Sequence, residues 1–249
     1  MDLPTLAGLC LPFVFILFMG VEAFLPSGRA MPEVPHWRLI GFAALIVTLA
    51  VNGLFPLLII PYLPDMTLAD LNHWRLWAAL PTVVLTTFLT YWSHRIQHRF
   101  DLLWRMGHQL HHGVARVDIA SAMIFHPVDV IVQVMMTLVA AGIFNITPEA
   151  GAVAGVSGFL IALYQHWNVR TPAWTGWFIQ RPEAHILHHE RDVHARNFGD
   201  MPVWDRLFGT YAAPREGEVA LGFPEGRGRR WLAMVAMVDV NRAEGRLRL

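Results

Sequence analysis

The histidines are the residues of this chain best suited to chemistry, because ten of the thirteen lie beside apolar segments. Eight of these ten form three short clusters with the spacings HxxxH, HxxHH and HxxHH. The other two stand alone, His166 in QHWN and His126 in FHP. Residues three and four apart share one face of an α-helix, so each cluster can direct several imidazoles to one point. The clustered residues are His94, His98, His108, His111, His112, His185, His188 and His189.

The two HxxHH clusters carry more weight than the HxxxH pair. Taken alone, His94 and His98 are equally well explained as polar residues at a helix end, where cations are favoured. In HxxHH, two adjacent histidines and a third one turn away are costly to bury unless each finds a partner. We expect His166 to join them as a ligand, whereas His126 is expected to cap a helix that starts at Pro127.

The number of imidazoles indicates a site with two metal ions. Eight or nine ligands exceed the four that one tetrahedral zinc ion takes, and they match two ions with four or five ligands each. Imidazole suits zinc, copper, iron and nickel. The clusters lack the Glu-x-x-His pairs of carboxylate-bridged di-iron bundles, so the ligand set is all nitrogen. His194, which follows the last cluster, is left open as a further ligand.

The composition places these histidines in a membrane protein. The chain is 55% hydrophobic and 15% charged, with a mean hydropathy of +0.40, whereas soluble domains are about 25% charged. The single cysteine, Cys10, excludes a disulfide framework and a thiolate metal site. A net charge of zero gives no reason to expect a nucleic-acid partner.

We predict an all-α integral membrane protein with four to five transmembrane helices and a histidine-rich helical cap. The first span is long enough to cross ~30 Å of hydrocarbon, and no basic residue precedes it, so we expect it to be retained and not cleaved as a signal peptide. The predicted spans are Leu6–Leu25, Leu39–Ile60, Leu76–Trp92, Val128–Ile146 and Ala150–Gln165.

The arginines predict the orientation of these spans. They gather on the side of the histidine clusters, and Arg75, at a span boundary, is the exception. By the positive-inside rule, the N-terminus is outside and the histidine segments face the cytoplasm, as expected for a bacterial inner-membrane protein. Tryptophans recur beside the clusters, which is typical of residues at the headgroup level. We therefore expect the metal centre at the interface between membrane and cytosol.

In this order, the three clusters resemble those of the fatty acid hydroxylase/sterol desaturase superfamily of membrane di-iron enzymes. HHGVARVDIASAMIFHPVD is similar to the linker that leads to the family's HP motif, QHWN to its H-x-N motif, and NFGDMPVWDRLFGTY to its C-terminal stretch. The resemblance covers residues 85–213, which we expect to form the catalytic domain. We expect transmembrane helices over 1–84 before it and a cytoplasmic tail over 214–249 after it. Within the tail we expect a solvated linker near 225–230 and an apolar piece, Trp231–Val240, that lies on the membrane.

The resemblance implies that two iron ions activate O₂ and that a C–H bond of a lipid, such as a sterol or a fatty acyl chain, is hydroxylated or desaturated. Electrons would come from an external cytochrome, ferredoxin or flavoprotein. Two positions depart from the family pattern, which often has arginine where Ile124 stands and glutamate where Asp129 stands. The implied iron ligands are His94, His98, His108, His111, His112, His166, His185, His188 and His189.

Three further residues are expected to support the ligands, namely Asn168, Asp129 and Asn197. Asn168 would orient an imidazole or a bound water. Zinc can replace iron in the isolated protein. Other functions remain open: a zinc-dependent membrane hydrolase with Glu190 as its base, or an ether-lipid or carotenoid oxygenase with the same clusters. Metal transport ranks last, because the spans are nearly devoid of charge apart from Glu22.

Overall fold

The computed structural model describes residues 1–241 as an all-helical protein, so residues 242–249 of the expected tail lie outside the described residues. Short 3₁₀ turns (Ile60–Tyr62, Asn72–Ala78, Ile119–Ser121, Ala173–Trp177 and Pro224–Arg229) and a π-helical turn (Trp104–His108) join the α-helices. The α-helices are α1 (Leu3–Phe24), α2 (Trp37–Ile59), α3 (Ala79–Arg99), α4 (Asp101–Leu103), α5 (Gln109–His112), α6 (Pro127–Phe144), α7 (Pro148–His166), α8 (Pro182–His188), α9 (Pro202–Leu207) and α10 (Trp231–Val235).

Several helices have a proline in their first turn, after a polar capping residue. The Asp2 side chain accepts a hydrogen bond from the Thr5 amide at the start of α1. Thr147 does the same for Ala150 at the start of α7. Proline suits the first helical turn because its missing N–H has no partner there in any helix. These signals are local, so the sequence predicts where the long helices begin.

Four helices are long and apolar enough to cross a bilayer, and the chain is an integral membrane protein. They span Leu3–Phe24, Trp37–Tyr62, Asn72–Arg99 and Pro127–Phe144. The fifth predicted span, Ala150–Gln165, is the glycine-rich helix α7, which is not among these four. Instead, α7 packs against α1 and α3 and completes the bundle.

All the histidine clusters lie at one end of the bundle. Because consecutive long helices run in opposite directions, the ends of α1, α3 and α7 lie beside the starts of α2 and α6. At the opposite end, the loop before α3 meets the turn after α6, where the Leu68 amide donates to the Ile143 carbonyl at 2.9 Å. This end of the described chain carries none of the predicted ligands.

The C-terminal segment folds back over the histidine end. Near 225–230, where we expect a solvated linker, Gly226, Arg229 and Arg230 are exposed but Gly228 is buried. Gly228 is buried against Gly113, so closely that a Cβ at Gly228 would lie 2.0 Å from the Gly113 carbonyl oxygen. Further on, Met234 and Val240 are each only 1% exposed and join a core with Trp104. The reason is backbone proximity: two glycines let the segment approach the end of α5 without a side chain between them.

Candidate metal centre

Four chain segments bring the predicted ligands together. The last two turns of α3 carry His94 and His98, and the end of α7 carries His166. The first HxxHH cluster lies on the π-helical turn and α5, and the second lies on α8 and its C-cap. A π-turn widens the helix by one residue and is frequent at functional sites.

The nine predicted ligands form two groups, site A and site B. Within each group the potential ligand atoms all lie within 4.8 Å of one another. The two groups adjoin, since the rings of His112 in one and His189 in the other stack at 4.5 Å. Site A consists of His94, His98, His108, His112 and His188, and site B of His111, His166, His185 and His189.

Each HxxHH cluster contributes to both sites, and the two do so in opposite ways. In the first cluster, His108 and His112 at i and i+4 belong to site A, and His111 belongs to site B. In the second, His185 and His189 belong to site B, and His188 belongs to site A. Positions i and i+4 share a face, whereas i+3 points about 100° away from i+4. The HxxHH spacing therefore holds two neighbouring sites together.

The rings are oriented by acceptors at Nδ1. His94 Nδ1 donates to the Phe198 carbonyl at 2.7 Å, and His188 Nδ1 donates to the Arg196 carbonyl at 2.9 Å. A carbonyl oxygen can only accept, so each Nδ1 carries the proton and each Nε2 of the neutral ring is left with a lone pair. The side of the ring that faces the site is thereby prepared to bind a cation.

His111 and His166 give the clearest sign that site B requires a cation. His111 Nδ1 donates to the Ile124 carbonyl at 3.2 Å, and His166 Nδ1 donates to the Ala162 carbonyl at 2.9 Å. Their Nε2 atoms then face each other at 3.2 Å. Two neutral rings held in this way present lone pair to lone pair, which is unfavourable unless a positive ion lies beside both.

Several buried nitrogens strengthen this fit. Within the described residues, no hydrogen-bond partner lies near His108 Nε2 or near the Nδ1 atoms of His98, His112, His185 and His189. The Nε2 atoms of the last four each lie 3.0–3.2 Å from another imidazole nitrogen. Buried polar atoms without partners are costly, and ligation of an ion would satisfy His108 Nε2.

Burial also sets the protonation state of the ligands on α5 and α8. Loss of solvation, reinforced by the neighbouring imidazoles, holds the pKa of His111, His112, His185, His188 and His189 well below its usual range. The neutral ring is the form that binds a metal. The site is therefore ready to ligate without first losing protons at neutral pH.

Asp129 contacts a histidine of site A directly. Its Oδ2 accepts a hydrogen bond from His108 Nδ1 at 2.9 Å, and the two side chains are 1% and 5% exposed. A carboxylate behind a ligating histidine fixes the ring and strengthens it as a ligand.

The other two predicted supporting residues lie further from the ligands. Asn168 Oδ1 accepts from Ser27 Oγ at 2.5 Å and from Arg29 Nε at 3.2 Å, which ties the loop after α1 to the end of α7. Asn197 Nδ2 donates to the Ala184 carbonyl at 2.8 Å. Asn197 also has a positive φ of 54°, a conformation that asparagine tolerates. Both residues position backbone near the site and neither contacts a ring of the two groups.

Sequence reasoning missed two carboxylates. Asp205 accepts from the amides of Phe198 and Gly199, each at 2.8 Å, and so holds the loop whose carbonyl orients His94; burial raises its pKa. Asp200 accepts from Gln165 Nε2 at 2.7 Å, and burial raises its pKa to about 6. Both lie in the NFGDMPVWD stretch. Their position as carboxylates within an apolar motif is the signal that could have identified them.

The histidines left open have distinct positions. His126 caps α6 as expected: its Nδ1 accepts from the Val128 amide, and its Nε2 donates to the Val235 carbonyl, both at 3.2 Å. His194 lies outside the two groups but close to them, with its ring 4.6 Å from that of His112 and 5.1 Å from that of Trp104.

The geometry defines a membrane protein whose two adjoining all-histidine sites can bind metal ions. Comparison with known families gives the same result, because the fatty acid hydroxylase family model matches residues 79–210, more than half of the chain. The chain belongs to the fatty acid hydroxylase family. No solved structure matches it significantly.

Several curated proteins are similar to this chain. Alkylglycerol monooxygenase of Xenopus tropicalis is 26% identical over 149 residues, which are 58% of this chain and 32% of the relative. Ornithine lipid hydroxylase OlsE of Rhizobium tropici is 28% identical over 155 residues (57% and 46%). Delta(7)-sterol 5(6)-desaturase ERG3B of Gibberella zeae is 28% identical over 149 residues (55% and 43%). The matched stretch spans a third to just under half of the length of these relatives.

Proposed function

We propose that this chain is an O₂-dependent di-iron oxidoreductase that hydroxylates or desaturates a C–H bond of a lipid. The observation that carries the proposal is the pair of facing Nε2 lone pairs of His111 and His166 within two adjoining all-imidazole sites. Family membership adds the reaction class, since similar proteins are named as a monooxygenase, a hydroxylase and a desaturase. Their names point to lipids with different headgroups or rings, so the proposal goes no further than the lipid class.

The nine histidines would hold the two irons through ring nitrogens, with five ligands at site A and four at site B. When bound, the irons supply what no side chain offers, the use of O₂ and two electrons to oxidise an unactivated C–H bond. The protein fixes the rings from behind through Asp129 and through backbone carbonyls. It also excludes water, because Trp104, Phe223 and Met234 pack into one buried cluster beside α5.

For hydroxylation, O₂, two electrons, two protons and the lipid give an alcohol and water. With one cysteine, the chain cannot ligate an iron–sulfur cluster through four thiolates. An external cytochrome, ferredoxin or flavoprotein therefore delivers the electrons in this proposal. It would dock on the histidine end, where Arg99 and Arg170 are exposed. Rates of reduction that do not change with ionic strength would contradict an electrostatic docking step.

The orientation follows from the same arginines. We propose that the histidine end faces the cytoplasm, because arginines flank the spans there, whereas the opposite loops carry Asp65, Asp70 and Glu149. Reporter fusions after residue 70 and at the C-terminus should give opposite compartments. A cytoplasmic signal from both positions would contradict this topology.

A zinc-dependent hydrolase is the competing function, with Glu190 as its base. The structure gives Glu190 other partners, because its two carboxylate oxygens receive Arg196 and Arg215. A base held in two ion pairs is poorly placed to take a proton from a metal-bound water. The oxidoreductase therefore fits the residues better.

The deciding experiment combines metal analysis with O₂ uptake. Protein purified from iron-supplemented cells should contain two irons per chain and should consume O₂ when reductant and membrane lipids are both present. Mass spectrometry of the lipids should then show a gain of one oxygen or a loss of two hydrogens. Iron-loaded protein that consumes no O₂ with any lipid fraction, or zinc-loaded protein that hydrolyses lipid esters, would overturn the proposal.

A further inference from the structure

The short helix α10 and the residues around it have two different faces. On one face, Met234 is 1% exposed and lies against Gly113, directly after the first HxxHH cluster. On the other face, Leu232 is 87% exposed and Val235 is 48% exposed. These two residues are three apart and therefore share a side of the helix. One face covers the metal centre, and the other presents aliphatic side chains outward.

The position of α10 determines the surroundings of its outer face. The ring of Trp231, at its start, lies 6.5 Å from that of Trp37, the first residue of the second candidate span. The carbonyl of Val235, at its end, accepts from His126, which caps the fourth candidate span at Pro127. Since both ends of α10 rest on the starts of membrane spans, the helix lies at the level of the membrane boundary.

Arginines directly precede α10. Between Glu225 and Asp239 every charged residue is an arginine. Arg229 and Arg230 are both exposed, and they immediately precede the apolar face. Exposed aliphatic side chains next to arginines are typical of segments that lie in the interface of an anionic membrane.

We infer that the outer face of α10, formed by Arg229, Arg230, Leu232 and Val235, binds the anionic lipid surface at the histidine end of the protein. The apolar side chains enter the boundary between headgroups and acyl chains, and the two guanidinium groups bind lipid phosphates. This contact does not depend on the proposed reaction, because it involves only the membrane and residues outside the two metal sites.

The contact also has a consequence for the metal centre. Gln109, on α5 between the histidines, donates through Nε2 to the Val238 carbonyl at 2.9 Å and accepts through Oε1 from the Val240 amide at 2.7 Å. Gln109 is fully buried, so these two hydrogen bonds fasten the chain after α10 to the ligand-bearing helix. Lipid binding on the outer face thus holds the cover of the site in place.

The test uses the full chain in lipid nanodiscs, with the exposed Cys10 replaced by serine. A polarity-sensitive fluorophore is attached through Leu232→Cys, and a control fluorophore through Glu218→Cys, which is an exposed loop position. At position 232, with phosphatidylglycerol in the disc, the emission should shift to the blue. The label there should also be quenched by lipids that carry a shallow spin label, whereas the control at 218 should respond to an aqueous quencher.

A second comparison isolates the charges. In the double variant Arg229→Gln, Arg230→Gln, the quenching of the label at 232 by spin-labelled lipids is compared between anionic and zwitterionic discs. The ratio of the two should fall by about five-fold per arginine removed. The inference is overturned if the label at 232 is as accessible to the aqueous quencher as the label at 218 in both lipids. It is also overturned if shielding appears only with two copies per disc, which would identify a second copy of this chain as the partner. Neither measurement reads out catalysis, so failure of the proposed activity leaves the test intact.

Discussion

Replacing Asp129 with asparagine should weaken metal binding at site A without unfolding the protein. Asp129 Oδ2 accepts the proton of His108 Nδ1 at 2.9 Å, and the two side chains are 1% and 5% exposed. An asparagine keeps a carbonyl acceptor of the same size, so the ring can stay in place. It removes the negative charge, however, and a hydrogen bond to a charged acceptor is roughly twice as strong as a neutral one.

The size of the effect follows from the place of this contact behind a ligand. Loss of such a supporting carboxylate typically lowers metal affinity by about 10- to 100-fold, or roughly 1.4–2.8 kcal/mol. The hydrogen bond is fully buried, so solvent screening does not reduce its contribution. We expect the Asp129→Asn protein to retain close to one metal ion per chain after challenge with a chelator that leaves two in the wild type.

Asp118→Asn is the matched control. Asp118 is 2% exposed, but its Oδ1 accepts from Trp37 Nε1 at 2.8 Å, and within the described residues no hydrogen bond joins it to an imidazole. Asp118→Asn should lower the melting temperature and leave the metal content unchanged. Asp129→Asn should lower the metal content and leave the protein folded. Metal content by elemental analysis after chelator challenge distinguishes them. If the two variants retain metal equally, Asp129 does not support the ligand and the reasoning is refuted.

Three further predictions concern the ligands and their cover. His188→Ala should remove a ligand of site A, and so lower the metal content and abolish activity. His36→Ala, in a loop before α2, should leave metal content and activity unchanged. Equal metal content in the two variants would contradict the assignment. Gly228→Ala should cost about 1–3 kcal/mol, because its Cβ would lie 2.0 Å from the Gly113 carbonyl oxygen, whereas Gly158→Ala, with open space around it, should not lower the melting temperature. Metal-free protein should lose stability as the pH falls below 6.5. The buried histidines of α5 and α8 have a pKa well below 6.5 in the folded protein, so only the unfolded chain binds protons in this range. A constant melting temperature between about pH 7 and pH 5 would contradict this.

Much of the site could be predicted from spacing, because helical periodicity is local. The three clusters predicted the converging imidazoles, and the uninterrupted sequence from Ser93 to Phe100 indicated that α3 would extend past the lipid to present His94 and His98. The division of each HxxHH cluster between two sites could not be predicted. It depends on the angle at which α5 and α8 meet, and that angle is set by tertiary packing.

The residues that orient the ligands were harder to predict for a chemical reason. Most of the acceptors behind the rings are backbone carbonyls, such as those of Ile124, Arg196 and Phe198. Every residue has a carbonyl, so none of these positions carries a recognisable side chain. The cover formed by the C-terminal segment was equally hidden, because its closest contact is between the backbones of Gly113 and Gly228.

The two departures from the family pattern now have a structural explanation. Where the family often has arginine, the side chain of Ile124 is 2% exposed in the core and its carbonyl supports His111, a role that any residue can fill. Where the family often has glutamate, Asp129 is one methylene shorter and still reaches His108. Both departures therefore leave the support of the rings in place, because His111 keeps a carbonyl acceptor and His108 keeps a carboxylate acceptor.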